Sequence, residues 1–521
     1  MKLVELYKDK IIGVIRGLDR VRFRGTIRWL ASQSGFESYW QQTGLLLKDF
    51  SDWAQEKTKR LRASCAKQAE LSNIEMIYLQ SSATDKEKLA RRIAAEKGIR
   101  NESICMFSVV EQCYSPTIKG NKDTKKLEMR VVPRKCVWIY HYFDHPVLGF
   151  GHVRLQTWLP MNVFICLNGR HWLEKQMSAN QMAYLKDGNT FPWIADVCRA
   201  QALMNEQLKS DWALLLNQLV WDTCPAIGGV LAPLRPEYYW SADDTEWATD
   251  VMFRSQADLE KIYPSIIRNA MLVSDSPAIM RYFGKRNVTA SGKCSGKLPQ
   301  EIISDYRSRF EGVRVKHWLN SNSVKAYDKQ GSVLRFETTI SNTRDFKVFR
   351  HPDDDESRPA SWQRMRKGIS DLHRRCEISD NCNTRYADSI AASLVADTLH
   401  ETVQETCNPV VKKGKKCRGL NPWNKEDYQI LTFLARGEWA INGFQNKDLR
   451  THLYSDTTDE KLKTRLSGKT SRRIRMLRMH GLVRKVPRRN RYVLTDKGRK
   501  FSAALMGASS ASIQQLMDSV A

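Results

Sequence analysis

The last hundred residues carry the pattern that most restricts how this chain can fold. Apolar positions recur with helical spacing in residues 424–436, 446–454 and 467–480, beginning at a potential capping residue, Asn424. Gly481 is expected to end the third helix, and two short apolar runs, 482–486 and 491–494, flank a polar turn. Thr495 is then placed to cap a last helix that reaches about Leu505. The sequence therefore predicts three helices, a hairpin and a final helix within residues 421–521.

Two junctions in this module resemble those of a known fold family. Residues 477–485, Leu-Arg-Met-His-Gly-Leu-Val-Arg-Lys, resemble the junction between recognition helix and wing in bacterial winged-helix regulators. Residues 491–499, Arg-Tyr-Val-Leu-Thr-Asp-Lys-Gly-Arg, resemble their junction between wing and last helix. The resemblance implies a winged helix, a helix-turn-helix variant that binds nucleic acid. As a whole, the chain is similar to a bacterial family of similar length that ends in such a module.

The charge of this module favours the same partner. Residues 461–500 contain sixteen Lys or Arg and a single acid, Asp496. At 100° per residue, Thr470, Ile474 and Leu477 share one face of the third helix, which leaves the cations free to face a groove. The side chains expected to contact nucleic acid here are Lys469, Arg472, Arg475, Arg488, Arg489 and Arg491.

The whole chain is strongly basic, with 84 Lys and Arg against 57 Asp and Glu and a formal net charge of +27. Such a surplus suits phosphates or an anionic membrane. Nucleic acid is preferred, because no apolar run is long enough to span a bilayer and no secretory signal opens the sequence. The twelve cysteines include no C-x-x-C pair, which favours free thiols in a reducing, cytoplasmic setting.

No nucleotide or organic cofactor is indicated, and no metal ligand is assigned from the histidines. The stretch 292–297 has the spacing G-x-x-x-G-K, which is one residue short of a phosphate-binding loop.

The body of the chain predicts an α+β class with antiparallel sheets. The predicted domains are a basic α/β region at 1–130, a central body with two strand-rich segments at 131–407, a basic linker at 408–420 and the winged helix at 421–521. Local predictions include a helix at 84–97 that Thr84 caps, a turn at 168–169 and helical structure over 191–219.

A second basic element lies near the N-terminus. Residues 16–29 interleave arginines with apolar residues, so an extended backbone puts Arg20, Arg22 and Arg24 on one face. We expect these three side chains either to follow a phosphate backbone or to lie on a solvated strand.

Four carboxylates are candidates for metal-dependent chemistry. Glu246 and Asp250 are four residues apart and share a face if their segment is helical, and Asp243 and Glu337 are candidates to complete the set. A nuclease or transposase needs two or three converging carboxylates to hold Mg²⁺. The alternative is that these are ordinary surface acids.

The paired segments 323–329 and 333–337 resemble a two-strand element of plasmid and phage replication initiators of the HUH endonuclease class. That resemblance implies cleavage of single-stranded DNA by a tyrosine, for which Tyr327 is the candidate.

Together these features predict a nucleic-acid-binding protein of mobile-element or plasmid type, with DNA favoured over RNA. It acts either as a binding protein alone or as a strand-cleaving nuclease, transposase or replication initiator. The alternatives are a non-catalytic RNA-binding component of a ribonucleoprotein, whose interleaved aromatics such as Phe23 and Tyr140 stack on bases, and a winged-helix transcriptional regulator. The oligomeric state is left open.

Overall fold

The computed structural model describes residues 1–123, 125, 127–285, 302–309, 312–352, 357–392, 399–412, 414–455, 457–487 and 489–512. Two predicted features, the stretch 292–297 and Arg488, lie outside these ranges. Within them the chain is a mixed α+β protein with several antiparallel sheets, which confirms the predicted fold class. No helix in the described ranges combines the length and apolarity needed to cross a membrane.

The helices are numbered in chain order: α1 Lys2–Leu6, α2 Gln33–Thr43, α3 Phe50–Leu71, α4 Lys86–Lys97, α5 Gly169–Ala179, α6 Val197–Glu206, α7 Trp212–Thr223, α8 Gln256–Leu272, α9 Ser276–Tyr282, α10 Leu372–Ala391, α11 Leu399–Cys407, α12 Lys425–Ala435, α13 Gly437–Asn442, α14 Asn446–Leu453, α15 Glu460–Met479 and α16 Asp496–Ser510. The strands are β1 Ile11–Ile27, β2 Met76–Leu79, β3 Ser103–Gly120, β4 Leu127–His145, β5 Gly149–Gln156, β6 Val163–Asn168, β7 Tyr184–Asp187, β8 Thr190–Ile194, β9 Tyr238–Phe253, β10 Ile302–Arg309, β11 Gly312–Leu319, β12 Asn322–Lys329, β13 Val333–Ile340, β14 Lys347–Arg350, β15 Ser361–Arg364, β16 Val410–Lys412, β17 Lys415–Cys417, β18 Val483–Lys485 and β19 Tyr492–Leu494.

The chain divides into two compact units, and neither is a continuous segment. The N-terminal unit comprises residues 15–248 and 339–377, and the C-terminal unit comprises residues 1–14, 249–338 and 378–521. Strands β1, β9 and β13 each have residues in both units.

In the N-terminal unit the sheet has the strand order β9-β1-β6-β5-β4-β3-β2. The pairs from β1–β6 to β3–β4 are antiparallel, and the edge pair β2–β3 is parallel. Strand β1 alternates as predicted, because the buried Val21 and Phe23 alternate with the exposed Arg20 and Arg22. Helix α4 packs on β3 and β4 and buries Ala90 in an apolar cluster.

In the C-terminal unit the strand order is β10-β11-β12-β13-β9, and the pairs β10–β11 and β11–β12 are antiparallel. Helix α10 packs polar as well as apolar groups into this unit. The amide of Asn383 donates to the hydroxyl of Thr249 and to the carbonyl of Phe336, and its Oδ1 accepts from Thr338. These buried bonds anchor α10 because an unsatisfied amide in the core is costly.

The last part of the C-terminal unit has the element order of a winged helix. Helices α12, α14, α15 and α16 and strands β18 and β19 enclose their own apolar core, which includes Phe433, Leu449, Leu477 and Phe501. Phe444 and Tyr492 form an isolated antiparallel β-bridge beside the wing, in which each backbone N–H donates to the carbonyl of the other residue. Asn424 and Thr495 cap α12 and α16, and Gly481 follows α15 with a positive φ, as the sequence predicted.

Helix α13, inserted between α12 and α14, attaches the winged helix to the rest of the C-terminal unit. Glu438 is buried and forms an ion pair with Arg281 of α9 at 3.2 Å, and the Arg281 guanidinium lies over the Trp439 ring at 4.6 Å. Arg436 pairs with Asp275 at 2.8 Å. The module is therefore docked on its unit by buried contacts as well as by its connecting chain.

Several local predictions were wrong. Asp85, not Thr84, caps α4. Asn168 does not close a turn but caps α5, accepting from the N–H groups of Arg170 and His171. The helical region predicted at 191–219 begins with β8, whose apolar run cannot be told from a helix by periodicity alone.

Two further segments differ from the prediction in secondary structure. Residues 238–250 lie in strand β9, so the helix assumed for the spacing of Glu246 and Asp250 is absent. The two residues still point to the same side of the strand, because side chains alternate with a period of two. The residues predicted as a basic linker, 408–420, contain the hairpin β16–β17.

Candidate nucleic-acid interface and carboxylate sites

One face of α15 presents cations and the opposite face is buried. Thr470, Ile474 and Leu477 point into the winged-helix core. The opposite face carries four side chains that we call the basic stripe: Lys461, Arg465, Arg472 and Arg475. Each side chain of the stripe is at least partly exposed, and none forms a side-chain ion pair or hydrogen bond with another described residue. A row of unneutralised cations along one helix face is suited to an anionic groove.

Gly468 lies in the middle of the basic stripe. A Cβ placed at this position would have nothing within 4 Å, so no packing contact within the described chain requires a glycine here. Glycine inside a helix lowers stability but permits a ligand to approach the backbone closely.

Lys469 and Arg473 are placed differently from the basic stripe. Lys469 pairs with Glu426 of α12 at 3.2 Å and lies 5.3 Å from the centre of the Tyr454 ring. Arg473 also pairs with Glu426 and stands 4.0 Å from Asp427. The hydrogen bond from Lys469 and the charge of Arg473 lower the pKa of Glu426. These two cations hold α15 against α12, so Lys469 is less available than the sequence suggested.

The wing contains both free and engaged cations. Arg484, Lys485 and Arg489 are exposed. Arg491 is only partly exposed, and its Nη1 donates to the carbonyl of Gly443 at 3.1 Å. Arg491 therefore helps to hold the base of the wing, whereas Arg489 remains at its tip.

The three arginines of β1 lie beside three acids of β9. Arg20 reaches Glu246 at 2.5 Å, Arg22 reaches Asp244 at 3.1 Å and Arg24 reaches Asp243 at 2.9 Å. We call these six side chains the ion-pair ladder. The sequence analysis predicted phosphate contacts for the three arginines and metal binding for Asp243 and Glu246. In the structure the arginines and the acids lie side by side, and their charges neutralise each other.

Glu246 also has an acidic neighbour. Carboxylate oxygens of Glu246 and Asp19 lie within 4.8 Å of each other, and Asp19 is buried. The Asn189 amide donates to Asp19 at 2.7 Å. Sequence reasoning missed Asp19, although a lone acid on the apolar face of β1 was a signal for it.

Asp250 is engaged in a buried ion pair. Its two oxygens accept from Nε and Nη2 of Arg335 at 2.6 and 2.9 Å, and the two side chains are 2% and 1% exposed. Bidentate geometry of this kind is the strongest form of Arg–carboxylate contact. Asp250 therefore has a structural contact that accounts for its burial.

Glu337 and Tyr327 come together in the C-terminal unit. The Tyr327 hydroxyl donates to Glu337 at 2.8 Å, and Lys325 Nζ lies 2.7 Å from the other carboxylate oxygen. Burial raises the pKa of Glu337, but Lys325, Arg335 and Tyr327 lower it by more, and the net pKa lies below the ordinary value. Tyr327 is thus hydrogen-bonded to an ionised carboxylate, and its ring lies 5.0 Å from Lys325 Nζ.

Each of the four carboxylates predicted for Mg²⁺ therefore has a cationic partner. The pairs are Asp243 with Arg24, Glu246 with Arg20, Asp250 with Arg335 and Glu337 with Lys325. Mg²⁺ requires carboxylate oxygens that are free to complete an octahedral shell. Bound Mg²⁺ would have to displace these cations, so the donor set as it stands fits the ion poorly.

The aromatics that the RNA alternative would use for stacking are also placed by the fold. Phe23 and Tyr140 are both buried, at the β1 and β4 positions where the sheet faces its core. Stacking on a base requires an exposed ring face.

Comparison with protein-family models, with curated proteins and with solved structures finds no match for this chain.

Proposed function

We propose that the protein binds double-stranded DNA through its winged helix, with α15 in the major groove. The observation that carries the proposal is the basic stripe, in which four exposed cations face away from the winged-helix core without a neutralising partner among the described residues. The major groove of B-DNA, about 12 Å wide, admits an α-helix. A helix of 20 residues is long enough to cross it.

The dimensions of the helix favour DNA over duplex RNA. The major groove of A-form RNA is deep and narrow, and protein side chains cannot read it. A basic α-helix with a flanking wing has no comparable site on an RNA duplex.

The basic residues divide into two roles in this proposal. Arg472 and Arg475 are in the stripe and long enough to reach base edges, where Arg binds guanine in a bidentate manner. Arg484, Lys485 and Arg489 of the wing contact phosphates, which fixes the orientation of the protein on the duplex.

A binding experiment with a matched control tests the proposal. Arg472→Ala with Arg475→Ala should weaken binding of a labelled duplex, by about 1–3 kcal/mol for each arginine that reads a base. The control is Lys59→Ala with Arg62→Ala, an exposed basic pair with the same spacing on α3. Fluorescence anisotropy is recorded between about 50 and 200 mM salt, because removal of one cation that binds a phosphate lowers the salt slope by about one.

Equal loss of affinity in both double variants would mean that only net charge matters, and unchanged affinity in the α15 variant would rule out α15 as the recognition helix. Tighter binding of an RNA duplex than of the DNA duplex would favour the RNA alternative.

The size of the chain supports a task beyond repression. A simple regulator needs little more than a winged helix and a dimerisation element, whereas here the winged helix is about a fifth of the sequence. We therefore propose that the protein acts as a DNA-binding protein of mobile-element or plasmid type.

Strand cleavage is a second candidate, favoured by the close approach of Asp19 and Glu246. In this reading Asp19 and Glu246 would hold Mg²⁺ in place of Arg20, and the ion would supply an activated water for phosphodiester hydrolysis. The test is incubation with labelled single- and double-stranded DNA with and without Mg²⁺. Cleavage that is abolished in Asp19→Asn and in Glu246→Gln supports it; no cleavage of either substrate removes it.

A further inference from the structure

Two aromatic side chains are exposed side by side on the hairpin β14–β15 of the N-terminal unit. Phe349 and Trp362 are directly opposite in the strand register, and their side chains are 58% and 55% exposed. The ring centres are 5.6 Å apart at an angle of 66°. Large exposed aromatics on a sheet face are unusual unless a partner covers them.

The same face carries two cations. Lys347 and Arg364 are opposite each other in the register, two residues from Phe349 and Trp362 along their strands, so all four side chains share one face. Both cations are exposed, and neither side chain is in an ion pair with another described residue. We call Lys347, Phe349, Trp362 and Arg364 the aromatic platform.

The other face of the hairpin is anchored. Val348 is buried between the exposed residues of β14, and Phe346 and Met365 at the open end of the hairpin are buried as well. Arg374 of α10 donates to the carbonyl of Lys347 at 3.2 Å, and its guanidinium lies 5.4 Å from the Trp362 ring. The platform is therefore held in place before any ligand arrives, which lowers the entropic cost of binding.

We propose that the aromatic platform binds single-stranded nucleic acid, with unpaired bases stacked on Phe349 and Trp362 and the backbone held by Lys347 and Arg364. Single-stranded binding sites combine exposed aromatic rings with a basic track, and stacking needs bases that are not paired. Charge selects a polyanion over an apolar peptide as the occupant.

This activity is separate from duplex binding by the winged helix and does not depend on it. The protein would hold a duplex and an unpaired strand through different parts of the chain, an arrangement suited to opened or processed DNA.

The experiment measures binding of the full chain to labelled single strands of about 12 nucleotides, as DNA and as RNA, and to a duplex. Phe349→Ala and Trp362→Ala should each weaken single-strand binding by roughly 5- to 100-fold and leave duplex binding unchanged. Arg472→Ala with Arg475→Ala should weaken duplex binding while single-strand binding persists, so failure of one proposal is distinguishable from failure of the other.

The chain offers a matched control in the hairpin β7–β8 of the same unit. There Leu185 and Trp193 are also an exposed cross-strand pair, but Lys186 of that hairpin is engaged by Glu174. Trp193→Ala should leave single-strand binding unchanged. Equal losses of affinity in Trp193→Ala and Trp362→Ala would overturn the proposal.

Two further outcomes are decisive. If Trp362→Ala lowers the stability of the fold, Trp362→Phe and Trp362→Leu are compared, because phenylalanine retains stacking and leucine abolishes it. Equal binding by these two variants overturns the proposal. If Phe349→Ala or Trp362→Ala changes the oligomeric state measured by light scattering but leaves single-strand binding unaltered, the aromatic platform is instead a contact with a second copy of the chain.

Discussion

Replacement of Asp250 by alanine separates a structural role of this carboxylate from a role as a metal ligand. As a metal ligand Asp250 affects cleavage and little else, whereas as the bidentate partner of Arg335 it supports the fold. Asp250→Ala removes the carboxylate from a guanidinium that is 1% exposed. Breaking one side of a buried ion pair destabilises a protein by about 3–5 kcal/mol, because the remaining charge stays in a medium of low dielectric.

Thermal unfolding of the full chain measures this effect. Since about 2–4 °C of Tm corresponds to 1 kcal/mol in a unit of 150–250 residues, Asp250→Ala should lower the transition by roughly 6–20 °C. Glu460→Ala is the control, because Glu460 pairs with Lys463 on the exposed surface of α15 and such pairs contribute about 0–1 kcal/mol. Replacing both partners, Asp250→Leu with Arg335→Met, should recover most of the stability. A transition in Asp250→Ala within about 2 °C of the parent would refute the structural role.

Three further predictions concern stability. The folded pKa of Glu337 is lowered, so Glu337 contributes stability at pH values above its unfolded pKa near 4.5. This contribution is lost as the pH falls through the folded pKa, and Glu337→Gln should therefore make stability less dependent on pH in that range. Burial lowers the pKa of His141 to about 4, so on acidification the unfolded chain binds a proton at this residue before the folded chain does. Stability should therefore fall between pH 6.5 and pH 4, and it should fall less in His141→Gln. Gly443 has φ +62°, and a Cβ added there would be 2.1 Å from the Tyr492 carbonyl oxygen, so Gly443→Ala should lower the free energy of unfolding in urea by about 1–3 kcal/mol. Gly468→Ala, where a Cβ meets nothing, should raise it by about 0.5–1 kcal/mol.

The elements that sequence predicted best are those with local determinants. The order of the winged helix followed from capping residues such as Asn424 and Thr495 and from Gly481, whose effects act within a few residues. The two strands expected over 323–329 and 333–337 are present as β12 and β13, because short runs rich in β-branched and apolar residues between polar turns have few alternatives. Within 191–219 the helices α6 and α7 are present as expected, and only the first residues, which form β8, were predicted wrongly, since a short apolar run does not distinguish a strand from a helix.

The site residues were harder to predict because their partners are distant in sequence. Arg20 was visible as a cation and Glu246 as an acid, but their pairing across 226 positions is a product of the sheet order. The same holds for Asp250 with Arg335, which are 85 residues apart. The aromatic platform was missed because Phe349 and Trp362 become neighbours only when β14 and β15 pair.

The discontinuous make-up of the C-terminal unit bears on how the protein is made. Leu3 is fully buried, and the backbone N–H of Lys2 donates to Asp388 at 2.7 Å across 386 positions of sequence, so residues 1–14 join a unit that is completed only after Asp388 has been synthesised. At about 5–20 residues per second a ribosome needs roughly 20–80 s to reach Asp388. Throughout that interval the N–H of Lys2 is without its native partner Asp388, although the carbonyl of Lys10 can accept from Arg254 earlier. Because the N-terminal unit ends at residue 377, all of its residues are synthesised before Asp388, and the C-terminal unit is the later of the two to close.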